Sequence, residues 1–330
     1  MTWYQSTMIW VSGHPVWVSL IVLSIGLVAL NAIAYQHACA MLWFTDAGER
    51  TPRPQDLSLP RKIAVLLTGI RVPRPENDRT PESISLAFQA IRIPVDDCVE
   101  LEAWSIPAAH ARGTMILFHG YASMKSNLLA EANAFHELGY DVWLVDFRGS
   151  GGSTERYTTV GVREADDVAA VVKYVRRSSM IGPLILYGNS MGAAAILRSI
   201  TKCGVAADGV ILISIFDRLL STARNRFHQM GLPGFPGANL LLFWGGISAG
   251  FSGFRHNPVE DGAGCACPTL MLHGETDPNA RLEEATAVQR QLGDRDCHLE
   301  AFPKTGHSSL LAADPDRWHR AIRQFLAERF

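Results

Sequence analysis

The sequence predicts an α/β protein: a mostly parallel central sheet with helices on both faces, preceded by one transmembrane helix. Three observations predict it. From about Ser83 to the end, short apolar runs alternate with amphipathic helical runs. The first 45 residues, Met1 to Thr45, contain no Asp, Glu, Lys or Arg. A serine stands between two glycines where an apolar strand gives way to a small-residue helix, in "LILYGNSMGAAAIL" (Leu184 to Leu197). At 330 residues the chain can bury a large core. Its net charge of −2, with no Lys/Arg run, gives no reason to expect a nucleic-acid partner. No internal repeat of fixed period appears.

The N-terminal segment, residues 1–45, holds a run from Val16 to Tyr35 with nothing more polar than Ser19, Ser24 and Asn31. As a helix of about 30 Å it matches the hydrocarbon thickness of a bilayer. Trp10, Trp17, Tyr35 and Trp43 stand near its ends, where amphipathic rings favour the interface. Ala32-Ile33-Ala34 resembles a signal-peptide cleavage site, but no Lys or Arg precedes the run, and a signal peptide is expected to start with one. The expectation is a single-pass anchor, with a cleaved signal peptide and a buried core helix as the alternatives. Arg50 and Arg53 follow the run and nothing basic precedes it, so the positive-inside rule places the body in the cytoplasm. The opposite side is the alternative. Six cysteines (Cys39, Cys98, Cys203, Cys265, Cys267 and Cys297) show no zinc-like spacing. Unpaired thiols fit a reducing compartment, and no metal is expected.

Residues 46–82 carry six prolines between Thr51 and Pro81 and read as a linker. "RKIAVLLTGI" (Arg61 to Ile70) interrupts it as a short amphipathic helix, lying either on the membrane surface or on the body. "SLAFQAIRI" and "CVELEAWSI" follow as an opening hairpin. Strands then come at "GTMILFHG", "YDVWLVDF", "PLILYGNS", "DGVILISI", "PTLMLHG" and "CHLEAFP", with helices at "SNLLAEANAFHEL", "VREADDVAAVVKYVRR", "MGAAAILRSITK", "LEEATAVQRQLG" and "PDRWHRAIRQFLAERF". Such alternation requires crossovers between parallel strands. One interval, residues 217–264, breaks the rhythm and includes the apolar, Gly- and Pro-rich "MGLPGFPGANLLLFWGGISAGFSGF". Inserted between the sixth and seventh strands, it reads as a small apolar cap over the carboxyl edge of the sheet. An ordinary pair of packing helices is the alternative.

Gly188-Asn189-Ser190-Met191-Gly192 fits the nucleophile elbow G-x-S-x-G. Side chains two residues either side of the serine would collide with the sharp turn, and Gly188 and Gly192 remove them. The turn places Ser190 at a helix N-terminus, where free N–H groups can hold an oxyanion. A serine hydroxyl needs a base, and the base needs an orienting carboxylate. His307 in "PKTGHSSL" and Asp277 in "HGETDP" supply them in the chain order Ser, acid, His, both in loops at strand carboxyl ends. Asp217 and Glu275 also follow strands and compete as the acid. The oxyanion donors expected are the main-chain N–H groups of Met191 and of Tyr121, behind His119-Gly120. His119 and His273 read as structural, His228 and His256 as solvated cap residues, and Asp314 as a helix cap or a first-turn charge.

With these residues in place, the catalytic segment 83–330 resembles the α/β-hydrolase superfamily, in particular its serine aminopeptidase-like and monoacylglycerol lipase-like group. His119-Gly120, the elbow, "DFRGSGGS" (Asp146 to Ser153), "CPTLMLHGETDP" and "GHSSL" carry the resemblance. It implies an α/β-hydrolase fold and a Ser190–His307–Asp277 triad working through an acyl-enzyme, with no metal or organic cofactor. "DFRGSGGS" would buttress the site without reacting. The expected partner is a small-molecule acyl substrate, an ester of an apolar acyl chain with lipid-derived esters included. Aminopeptidase-like and thioesterase activities are the alternatives within the class, and a hydrolase-fold binding protein without turnover is the alternative outside it.

Overall fold

The computed structural model describes residues 15–52, 56–178, 180–293 and 297–330. Trp10 and Arg53, named above for the interface and for orientation, lie outside the described residues. The chain opens with helix α1 (Pro15–Leu42) and the short helix α2 (Leu59–Thr68). Within α1, Val16–Leu42 is long and apolar enough to cross a membrane, with a mean hydropathy of 2.4. The helix runs seven residues past the expected Tyr35 because the body accepts its end. The hydroxyl of Tyr121 donates to Met41 O (2.7 Å), and the N–H of Thr158 donates to Leu42 O (2.9 Å). Carbonyls of a last helical turn have no partner within the helix, so this end is docked rather than dangling.

Eight strands make one sheet: β1 (Gln89–Pro94), β2 (Glu100–Ile106), β3 (Thr114–Phe118), β4 (Asp141–Val145), β5 (Leu184–Asn189), β6 (Gly209–Ile213), β7 (Thr269–Gly274) and β8 (Cys297–Phe302). Their order is β1-β2-β4-β3-β5-β6-β7-β8. β1 and β2 form the expected hairpin with Gln89 opposite Ser105, and β2 lies antiparallel to β4. The other neighbours are parallel. Alternate residues of β3 feed opposite cores. Ile116 and Phe118 join Val168, Val172 and Ile196, whereas Met115 and Leu117 join Phe135, Trp318 and Ile322. Both faces are therefore covered, and this is why the strands read as unbroken apolar runs.

The covering helices are α3 (Leu129–Glu137), α4 (Glu164–Arg177), α5 (Met191–Cys203), α9 (Leu282–Leu292) and, after the single turn α10 (Leu310–Ala313), the closing α11 (Pro315–Arg329). Between β6 and β7 stand α6 (Leu219–Gln229), α7 (Gly237–Ala249) and the short α8 (Pro258–Asp261). Asp314 caps α11 by accepting from Arg317 N (3.0 Å), as its position predicts. Residues 71–82 lie along the body. Pro75 O accepts from Gly151 N (2.8 Å), and Asn77 Nδ2 donates to Asp146 Oδ2 (2.7 Å). Pro73 and Pro75 restrict the backbone that presents these groups.

His256 corrects a sequence expectation: His228 is exposed, but His256 is fully buried. Its ring lies edge-on to Phe216, and Nε2 lies 3.1 Å from Val160 O. Burial pushes its pKa down to about 4, with Arg198 acting in the same direction and Glu164 against it. An unfolded histidine titrates near 6.5, so the folded state binds fewer protons between these values. Stability is therefore expected to be full above pH 6.5 and to fall as pH drops towards 4. The loss is on the order of 3 kcal/mol from this side chain. Thermal melts of wild type and His256→Gln across that window check this, because the glutamine variant should lose the corresponding slope.

Candidate active site

β5 ends at Asn189 and α5 begins at Met191, so Ser190 makes the whole turn by itself. Its backbone sits at φ 52°, ψ −106°, a left-handed region that costs a non-glycine residue about 1–3 kcal/mol. Neighbouring bonds fix it there. Ser190 N donates to Ile213 O (2.7 Å), and Ser190 O accepts from Ala194 N (3.1 Å). A Cβ on Gly188 would stand 2.6 Å from Ala193 N, and one on Gly192 would stand 2.5 Å from Phe118 O. Both glycines are thus required by close backbone approach, as the elbow motif predicts.

The other expected residues gather at the same edge of the sheet. Asp277 follows β7, and its side chain is fully buried. Its Oδ1 accepts from Asn279 N (2.8 Å) and Ala280 N (3.0 Å), which leaves Oδ2 for His307. His307 follows β8, and its Nδ1 lies 2.6 Å from that oxygen. A quarter of the His307 side chain remains exposed. The structure does not bring Asp217 or Glu275 to this histidine: Asp217 has one orphaned oxygen and its other 3.9 Å from Arg218, and Glu275 is exposed.

Opposite the elbow, the loop after β3 approaches closely, since a Cβ on Gly120 would lie 3.7 Å from Ser190 Cβ. His119 organises this loop. Its Nε2 accepts from Phe147 N (3.1 Å), so Nδ1 carries the hydrogen and donates to Gly120 O (2.8 Å). Burial holds its pKa below the ordinary range, consistent with this neutral tautomer. The Gly120 carbonyl and the Tyr121 N–H belong to one peptide plane, so holding the carbonyl aims the N–H the other way. Among the described residues neither Tyr121 N nor Met191 N is bonded to a protein acceptor.

Behind the loop lies a charged layer that sequence reasoning did not resolve. Lys125 is fully buried, paired with Asp146 and with Glu102 (2.6 Å), and its ammonium lies over the Trp104 ring. Burial opposes ionisation of Asp146, but Lys125 beside it holds the carboxyl below the usual range. Asp146 Oδ1 also accepts from Lys125 N (2.8 Å), and Oδ2 from Gly152 N (2.9 Å). The residue therefore clips "DFRGSGGS" to the loop that carries Tyr121, which gives the buttress expected of that motif a physical form. Arg148 forms a second buried pair with Asp167 (2.5 Å).

The Tyr121 side chain reaches the end of α1. Besides its bond to Met41 O, the ring sits 6.3 Å from that of Phe44 and beneath the Arg226 guanidinium of α6. One residue thus joins the loop after β3, the end of α1 and the cap.

Comparison with known proteins agrees with this architecture. Residues 109–218 match the family model described as serine aminopeptidase, S33. An uncharacterised Escherichia coli K12 protein, YfhR, is 29% identical over 195 residues, 55% of this chain and 60% of its own. The Mus musculus lysophosphatidylserine lipase ABHD12 is 26% identical over 183 residues, 54% of this chain and 45% of its own. The chain thus spans about half to three-fifths of these relatives' length. Among solved structures, the Pyrococcus furiosus esterase Pf2001 superposes with a TM-score of 0.65 at 24% identity, covering 78% of this chain and 97% of its own.

Two substitutions test the geometry through stability alone. Gly192→Ala should cost about 2–4 kcal/mol, because its methyl meets backbone that cannot yield. Tyr121→Phe should cost about 1–3 kcal/mol by stranding the Met41 carbonyl. Chemical denaturation checks both, and wild-type midpoints would refute the contacts.

Proposed function

Since the chain has the α/β-hydrolase fold, we propose that it is a membrane-anchored serine hydrolase acting on carboxylic esters of apolar acyl chains. The observation that carries the reading is the 2.6 Å bond between His307 Nδ1 and a buried Asp277, at the edge where Ser190 is held in its strained turn. Asp277 fixes the tautomer that leaves Nε2 free to act as a base. In this mechanism Ser190 Oγ attacks the ester carbonyl carbon while its proton passes to His307 Nε2. The N–H groups of Met191 and Tyr121 hold the oxyanion. The tetrahedral species collapses and the alcohol leaves with the proton from His307. Water, deprotonated by the same imidazole, then releases the acid and restores Ser190.

The apolar substrate class rests on the uncharged stretch of the cap, and lipid esters are favoured by the lipase named among the relatives. Anchoring rests on the length and apolarity of α1. Carbonate washing tests it: the full-length protein should stay with the membranes, and complete release would refute an anchor.

Fluorophosphonate should label the wild type and fail to label Ser190→Ala. Ser190→Ala and His307→Ala should lower kcat by about 10⁴ or more, and Asp277→Asn by about 10³–10⁴. Normal turnover in Asp277→Ala would refute the acid assignment. A folded wild type that takes no label would point to a binding protein. A panel of esters of increasing chain length, thioesters and short peptides decides the acyl class.

A further inference from the structure

The cap and α2 carry apolar faces that no part of the described body covers, and both are fastened to α1 at defined heights. From Met230 to Phe254 the chain contains no Asp, Glu, Lys or Arg. In this stretch Phe235, Phe243 and Ile247 are 71%, 48% and 58% exposed, values that would be costly in water. On α2, Leu59, Ile63 and Leu67 recur at helical spacing, 70%, 52% and 61% exposed, and none of the helix's residues is buried. Arg61 and Lys62 stand between them in the sequence.

The height of each face along α1 follows from its contacts. The Trp244 indole donates to Asn31 Oδ1 (3.0 Å), and its ring packs edge-on against Tyr35. Lower in the same contact, a Cβ on Gly245 would lie 3.2 Å from Leu42 Cδ1. α2 meets α1 later than Trp244 does: Gln36 Nε2 donates to Thr68 O (2.6 Å), and His37 Nε2 lies 3.1 Å from Leu66 O. If the hydrocarbon begins at Val16, about 30 Å of helix ends near Tyr35. Asn31 then lies about 6 Å inside the apolar layer, whereas Gln36 and His37 lie at its surface. An asparagine in lipid needs partners for its amide. Leu27 O supplies one (2.9 Å), and Trp244, reaching up from the cap, supplies the other.

From this we propose that α7 lies against the bilayer surface beside α1, its Trp244 indole reaching into the apolar layer and Phe243 and Ile247 meeting acyl chains, while α2 lies along the headgroup layer. The occupant of both faces is the lipid surface itself. Because α6 and α7 stand between β6 and β7, above the edge that holds Ser190, the cap is then the route by which a substrate leaves the membrane for the site. This rests on the anchoring and hydrolase readings above.

Full-length protein in phosphatidylcholine vesicles tests it. The double variant Phe243→Glu/Ile247→Glu should lower kcat/KM for a vesicle-borne palmitoyl ester by about tenfold or more, while hydrolysis of a water-soluble butyryl ester stays within about twofold. Equal rates on both esters relative to wild type would overturn the proposal. A second measurement does not depend on turnover or on the variant's fold. A photoreactive residue at Ile247 or Ile63 should form adducts with labelled phosphatidylcholine, and one at Glu328 on α11 should not. Adducts at none of the three, or equally at all, would overturn it. Failure of the hydrolase reading would leave both esters intact in wild type without altering the adducts. Failure of the anchor would release the protein on carbonate washing.

Discussion

A left-handed backbone at a non-glycine residue is unfavourable, and at Ser190 the surrounding fold supplies every constraint that maintains it. Ile213 O at the end of β6 takes the serine N–H, and the first turn of α5 takes its carbonyl. The end of β3 comes so close to Gly192, and the first turn of α5 so close to Gly188, that only glycine is tolerated at both. These constraints exist only because β3, β5 and β6 run side by side in parallel and deliver their ends to one edge. The strained turn is therefore a consequence of sheet order, and the residues at the ends of β7 and β8 reach the same edge for the same reason. Strain of this kind persists where surrounding structure overdetermines it.

The N-terminal helix is more closely joined to this edge than a tether requires. Its last turn is closed by Thr158, from the loop after β4, and by Tyr121, from the loop after β3. Arg226 brings α6 against the same ring. Displacing α1 would strand carbonyls and remove an aromatic neighbour from the loop after β3. The apolar helix and the candidate site thus share side chains, and α1 packs as part of the body.

Much of this was legible in the sequence because it is written locally. The elbow, the strand–helix alternation and the order Ser190, Asp277, His307 each depend on residues near one another or on a rule of chain order. The choice of Asp277 over Asp217 was not local, since it turns on which loop reaches the imidazole. The contacts that escaped notice join distant residues: Trp244 with Asn31, Tyr121 with Met41, and Asn77 with Asp146. No periodicity or spacing announces such pairs. His256 misled for a related reason, because a polar residue in a Gly-rich insertion resembles a solvated one until the insertion is folded onto Phe216.

The histidines argue for turnover over mere binding. His119, His256 and His273 are buried, each is held neutral by burial, and each has a ring nitrogen near a main-chain carbonyl: Gly120, Val160 and Ala280. Such histidines serve packing and loop geometry, and an amide side chain could replace much of what they do. His307 differs in both respects, with a buried carboxylate on Nδ1 and a ring partly open to solvent. Burying Asp277 costs solvation that its bonds to two backbone N–H groups and to the imidazole must offset. That arrangement does little for a binding pocket, since it spends a buried charge on orienting a group that need not be oriented. It is what a base requires if it is to accept a proton beside a serine and become a stabilised imidazolium.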